Sequence, residues 1–181
     1  MRSGHLFRAL LVVLTLAASA GGAGIPALDP DGEERPPEWS LDQIKDKRRV
    51  FLLATRSRVL DVRGPDPEAL LKAAGDGKVR THNYPYIVIA RKLNEYIRKR
   101  KGLTAVDRAS EADFVIYFNV LEYRRTLNGV YPYGELFVIL NGDAGGRSQP
   151  PRIIWRTRKA SWAEDAAKEF IKELKRVRGE K

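Results

Sequence analysis

The side chains that most often carry catalysis or bind metals are scarce in this sequence. It contains no cysteine and only two histidines, His5 and His82. Thiolate zinc sites, iron–sulfur clusters, disulfides and cysteine nucleophiles are therefore excluded. No serine lies in a nucleophile-elbow motif that would pair it with His82, which we expect in an exposed loop. We therefore expect no metal site and no cofactor.

Two carboxylates leave one enzymatic alternative open. Glu122 and Glu135 flank a predicted hairpin, and a pair of carboxylates ~5–9 Å apart is the arrangement that glycoside hydrolysis requires. The sequence does not fix their separation. The glycine-rich residues 142–147 lie between two predicted strands and lack the Gly-Lys-Ser/Thr ending of a phosphate-binding loop. We expect a protein that is not an enzyme, with a carboxylate-dependent hydrolase as the alternative.

Basic residues interleaved with aromatic residues form the strongest candidate binding segment. The chain carries 33 Lys and Arg against 23 Asp and Glu, a formal charge of +10. Arg124 and Arg125 open a predicted loop that continues through Tyr131 and Tyr133, and such a pattern binds polyanions by charge and stacking. We predict these four residues as binding residues. The alternative is that the basic residues only solvate helix ends and keep the protein soluble.

The first twenty residues predict a signal peptide, because Arg2 and Arg8 precede an uncharged run that ends in Ala18-Ser19-Ala20. That run is shorter than the roughly 20 residues that span a bilayer, so we expect cleavage and no transmembrane helix afterwards. No lipid-bearing cysteine follows it. We expect a periplasmic or extracellular protein. Its partners would be an anionic envelope surface (lipid, lipopolysaccharide or acidic glycan) or an envelope protein, and not a nucleic acid.

The remaining chain divides into an acidic Gly/Pro-rich spacer at 21–40 and one domain at 41–181. Apolar runs and hydrophobic periodicity predict its main elements in the order strand, helix, strand, strand, strand, helix. These are strands at 50–54, 114–121, 135–140 and 153–157, with helices from Pro85 to Gly102 and at 161–177. We predict an α+β fold, a small mixed sheet with two amphipathic helices packed on it. Strand 50–54 would pair in parallel with 114–121, and the last three strands would form an antiparallel meander.

Several motifs along this order resemble an uncharacterised group of bacterial envelope domains. They are Gly102 after a helix, Ala112-Asp113 before an apolar strand, Gly134-Glu135-Leu136, and Ile154-Trp155-Arg156. Many of these proteins are lipoproteins, and the domain is similar in layout to the amino-terminal domain of TolB and to the curli secretion component. The resemblance implies no catalytic residues. Asp113 is expected to cap a turn at the strand entrance, and Trp155 to pack in the core.

Together these observations predict an exported, non-enzymatic envelope protein that works as a binding or interaction module. A component of a secretion or assembly complex is a further alternative.

Overall fold

A computed structural model describes residues 39–56, 65–79, 81–100, 102–142 and 149–180. The helices are α1 (Pro67–Gly75), α2 (Asn83–Arg100) and α3 (Ala163–Arg178), with short 3-10 turns at Leu41–Ile44 and Ala109–Glu111. The strands are β1 (Arg49–Thr55), β2 (Thr104–Ala105), β3 (Phe114–Thr126), β4 (Gly129–Leu140), β5 (Arg152–Arg156) and β6 (Ser161–Trp162).

All six strands belong to one mixed sheet of order β2-β1-β3-β4-β5, with β6 paired to β4. β1 and β3 run parallel from the pair Val50 and Phe114 to the pair Thr55 and Asn119. β3, β4 and β5 are antiparallel neighbours. The predicted α+β class, the parallel pairing and the antiparallel meander are confirmed.

The apolar residues of β3 are buried on both faces of the sheet, as the unbroken apolar run predicts. Phe114, Ile116 and Phe118 belong to the cluster that includes the buried residues of α2 and α3. Val115 and Tyr117 belong to a second cluster on the other face, against which α1 packs. β3 is therefore the centre of the fold, and each face of the inner sheet has its own layer of helix.

Local signals set the ends of the helices. Asp66 accepts hydrogen bonds from the first backbone N–H groups of α1, and proline follows it where its missing N–H costs nothing. α3 ends at Gly179, whose left-handed conformation (φ 66°) suits glycine. Ser40 likewise caps the first 3-10 turn. These ends agree with the sequence patterns.

The predicted loop from Arg124 to Gly134 is wrong, because β3 and β4 continue through it. Their register runs without a gap to the pair Thr126 and Gly129, so Leu127 and Asn128 alone make the turn. The polar residues and Pro132 in this stretch are typical of a loop, which is why the sequence predicted one. The pairing of the two strands keeps it extended, and β4 gains further support there from the buried Pro132 and from the pairing of Tyr133 with Trp162 of β6.

The predicted element order also lacks the short strands β2 and β6 at the sheet margins. The sequence predicted α1 as a helical turn or two from Asp66 to Ala74, and it forms a full helical layer at Pro67–Gly75. Ser161 and Trp162 pair with β4, so α3 begins at Ala163, two residues later than predicted. The predicted signal peptide, most of the spacer, and most of a possible strand at 56–62 and of the glycine-rich segment 142–147 lie outside the described residues.

Candidate functional site

The outer part of the β3–β4 hairpin extends beyond the rest of the sheet. β1 pairs with β3 only as far as Asn119, and β5 pairs with β4 only from Phe137 onward. A bulge at Leu121 separates this inner part from the outer part. We call residues 122–133 the ribbon. It contains all four predicted binding residues.

The structure brings Arg124 and Tyr133 into direct contact. The guanidinium carbon of Arg124 lies 3.4 Å from the centre of the Tyr133 ring, a cation–π geometry. The same guanidinium forms an ion pair with Glu122, with Nε at 2.6 Å from the carboxylate. This carboxylate raises the pKa of Arg124, which stays charged. The first predicted cation is thus held in place by its own neighbours.

Arg125 lies at the tip of the ribbon in a different environment. It is in register with Val130 in the strand ladder, and its side chain forms no hydrogen bond or ion pair with any described residue. Leu127, in the turn, is fully exposed, and Val130 is 58% exposed. The tip therefore presents two apolar side chains and one cation that is not neutralised by another described residue.

A row of aromatic rings supports the ribbon at its base. Trp162 contacts Tyr133 with ring centres 5.4 Å apart and Tyr131 at 6.4 Å. Tyr84, from the first turn of α2, contacts Tyr131 at 5.9 Å. Trp162 and Tyr84 were not predicted from the sequence, because no spacing rule links residues this far apart to the ribbon. Their only sequence signal is that each aromatic residue lies beside a predicted helix start.

His82 also belongs to this base and is not the exposed loop residue that we expected. It precedes α2 and is half-buried. Its backbone N–H donates to the carbonyl of Ala54 at 2.7 Å. Its Nδ1 lies 3.0 Å from the hydroxyl of Tyr123, on the ribbon. The histidine therefore ties the ribbon to the end of β1.

The two candidate carboxylates occupy different positions in the ladder. Glu122 is in register with Tyr133, and Glu135 is in register with Asn119, on the other side of the bulge. Glu122 is half-exposed and ion-paired with Arg124. They are not cross-strand partners, and the hydrolase alternative stays a prediction. Within the described ranges, no three His, Asp or Glu side chains cluster closely enough to hold a metal ion.

Asp113 has a structural position, but its partners differ from those expected. Its carboxylate accepts hydrogen bonds from the backbone N–H groups of Arg48 and Arg49 and from the Arg49 guanidinium, at 2.8–3.1 Å. It therefore holds the start of β1 and does not cap a local turn. Burial raises the pKa of Asp113, but these hydrogen bonds outweigh burial and keep its pKa below the ordinary 3.8. Trp155 packs edge-on against Phe170 in the core, as expected.

Among the described residues, no helix has the length and apolar character needed to cross a membrane.

No protein-family model matches the chain, and no curated protein matches it significantly. Among solved structures, a Xanthomonas campestris protein of the family DUF330 is 14% identical, with 84% of this chain and 87% of that chain covered and a TM-score of 0.32. The PelC dodecamer of Paraburkholderia phytofirmans is 13% identical, with 74% and 84% covered and a TM-score of 0.29. At these values neither structure assigns a function to this chain.

Proposed function

We propose that this chain is an exported, non-enzymatic protein of the bacterial envelope that binds an anionic membrane surface through the tip of the ribbon. The observation that carries the proposal is the grouping of Arg125 with the exposed Leu127 and Val130 at the end of a projecting strand pair. The signal peptide at residues 1–20 and the resemblance to envelope domains of the TolB and curli type rest on the sequence alone.

The tip combines two attractions that reinforce each other at a membrane. A basic residue near an anionic leaflet gains about 1 kcal/mol from the surface potential. An exposed leucine that leaves water gains up to about 2–3 kcal/mol. Neither term alone gives stable attachment, but peripheral binding grows with the sum of apolar burial and charge attraction. The turn at Leu127 and Asn128 places the exposed leucine and Arg125 at the part of the ribbon that would touch the membrane surface first.

The aromatic row behind the tip fits the same orientation. Tyrosine and tryptophan side chains favour the headgroup region, where a ring has one apolar side and one hydrated end. Tyr131 and Trp162 are both half-buried at the base of the ribbon. Tyr131 already donates its hydroxyl to the carbonyl of Asn128 in the turn at 2.9 Å, and the indole N–H of Trp162 would meet headgroups once the tip is inserted. The ribbon would thus supply an apolar end, a cation and an aromatic belt in the order in which a membrane is entered.

Co-sedimentation with phosphatidylcholine vesicles, with and without phosphatidylglycerol, tests this proposal. The wild-type protein should bind the anionic vesicles, and binding should fall as salt rises. Leu127→Ser with Val130→Ser should reduce binding about tenfold or more, since apolar burial is lost. Arg124→Ser with Arg125→Ser should weaken binding and flatten its salt dependence. Arg125→Ser is the cleaner single variant, because it breaks no contact among the described residues.

A matched control removes the same charge elsewhere. Arg158 and Lys159 are exposed in the connection between β5 and β6. Arg158→Ser with Lys159→Ser should therefore leave sedimentation close to that of the wild type. Unchanged binding of the Leu127→Ser, Val130→Ser variant and of the Arg124→Ser, Arg125→Ser variant would refute membrane binding through the ribbon.

A further inference from the structure

We propose that the groove between α2 and α3 is a second binding site, which takes an extended acidic polysaccharide. The groove encloses about 870 Å³ and runs along the surface of the helix layer. Six cationic side chains line it against only two carboxylates, those of Glu95 and Glu180. The six are Lys92, Lys99, Lys168, Lys172, Lys175 and Arg176.

Half of these cations have no partner of opposite charge in the described parts of the chain. Lys92 and Lys168 both contact Glu164, at 3.2 and 3.1 Å, and Arg176 pairs with Glu173. The other three, Lys99, Lys172 and Lys175, form no ion pair with any residue that the structure describes. Three ammonium groups on the groove are therefore available to an anion, although the carboxylates of Glu95 and Glu180 also line it.

The charges are arranged in a line. Lys92 contacts Glu164 at the start of α3, and Tyr96 donates a hydrogen bond to Glu180 beyond its end at 2.8 Å, so both helices run in the same direction along the groove. Lys168, Lys172 and Lys175 follow each other at helical spacing and span about 10 Å of α3 at 1.5 Å per residue. An extended ligand would meet them one after another.

This arrangement favours a chain with a single charge per unit over a compact phosphate. Phosphate recognition relies on donors that converge on one point, above all the planar arginine fork. Here the unpaired cations are lysines, which act as separate point charges. The groove also exposes apolar surface from Ile171 and from lysine stems, against which the C–H faces of sugar rings pack. Alternating anionic groups and apolar ring faces are the chemistry of an acidic polysaccharide.

Helix-end stabilisation accounts for two of the three unpaired lysines but not for Lys172. The carbonyl groups near the two helix ends carry partial negative charge, which cations offset. Lys99 and Lys175 lie in the last turns of α2 and α3, where they serve this purpose. Lys172 lies more than a turn before the end of α3. Lys172 therefore has no role at a helix end, and a bound anion would compensate its charge.

Calorimetric titration of the purified protein with alginate, a polyuronate, tests the inference. The groove variant replaces Lys99, Lys172 and Lys175 with glutamine, which is nearly as good a helix former as lysine. It should bind alginate about tenfold more weakly, because three exposed ion pairs of modest strength are removed. The matched control carries Lys72→Gln, Lys78→Gln and Lys159→Gln, the same loss of charge away from the groove, and should bind like the wild type. Neutral dextran should not bind.

Three results would overturn the inference. They are no binding of alginate by the wild type, equal loss in the groove and control variants, and tighter binding of inorganic polyphosphate than of alginate. The inference is independent of the ribbon. The groove variant should sediment normally with phosphatidylglycerol vesicles, and the Leu127→Ser, Val130→Ser variant should bind alginate normally.

Discussion

The inner and outer halves of the β3–β4 hairpin are formed by the same two strands but differ in burial. Every residue from Phe114 to Val120 is fully buried, whereas every residue from Glu122 to Val130 is exposed. The inner half has β1 and β5 beside it and helices over both faces. The outer half has little beside its own partner strand and one short contact with β6. Identical backbone pairing thus produces a core in one place and a free surface in the other.

The difference shows that backbone hydrogen bonds alone do not decide where stability lies. A two-stranded ribbon is marginal in water until something covers it. The ribbon depends on contacts at its base, from Trp162, His82 and Tyr84, and on the Arg124–Tyr133 stack. The Leu127 side chain at the tip is fully exposed and takes no part in these contacts. It is therefore available for binding.

The largest contrast should come from truncating one apolar residue in each half. Phe118→Ala removes a fully buried ring and should lower the free energy of unfolding by about 3–5 kcal/mol. Leu127→Ala removes a fully exposed side chain and should change it by less than about 0.5 kcal/mol. Urea denaturation followed by circular dichroism measures both. Comparable losses would mean that the ribbon is part of the core.

The junction between the halves should show an intermediate effect. A Cβ on Gly134 would lie 2.0 Å from the backbone carbonyl oxygen of Asn119, beside the bulge. Gly134→Ala must shift backbone and should cost about 1–3 kcal/mol. Gly75→Ala, where a Cβ meets nothing within 4 Å, is the control and should be neutral or slightly stabilising. If Gly134→Ala unfolds at the wild-type urea concentration, the close approach at the bulge is not a constraint.

The smallest contrast concerns Asp113 and Glu122, the two carboxylates that flank the inner half of β3. The Asp113 side chain is 13% exposed, and that of Glu122 is 50% exposed. Because the pKa of Asp113 is lower in the folded than in the unfolded chain, its stabilisation is full above pH about 4 and is lost as pH falls through the folded pKa.

Asp113→Asn should therefore cost about 1–2 kcal/mol at pH 7 and flatten the acid limb of the stability curve. Glu122→Gln should cost less than about 0.5 kcal/mol, since its ion pair is exposed. Urea midpoints at pH 3, 5 and 7 measure both. An unchanged acid limb in Asp113→Asn would show that the hydrogen bonds to β1 do not stabilise the fold.

The sequence predicted those strands and helices whose burial leaves a pattern of apolar residues along the chain. The apolar run at Phe114 to Leu121 gave the central strand, and the stripe including Phe170 and Leu174 gave the buried face of α3. The loop predicted across the ribbon was wrong because the ribbon lacks such a pattern. Residues such as Glu122 and Arg125 have no buried face, so their periodicity carries no signal of the strand that they form.

The candidate site was predicted in part. Arg124, Arg125, Tyr131 and Tyr133 were identified by residue type, and the structure places all four on one ribbon. Type alone did not distinguish the paired Arg124 from Arg125 at the tip. It also gave no signal for the groove as a single site, since its lysines lie on two helices far apart in the chain.

By itself, the sequence determined the scarcity of catalytic groups, the excess of positive charge, and the elements that bury an apolar face. These follow from composition and from periods of two and 3.6 residues, which are local properties. Only the tertiary structure decided that Trp162 and Tyr84 support the ribbon, and that Lys99 faces Lys172 and Lys175. Such groupings arise because the sheet and its helices pack as layers, and packing brings together residues whose distance along the chain carries no information about their contact.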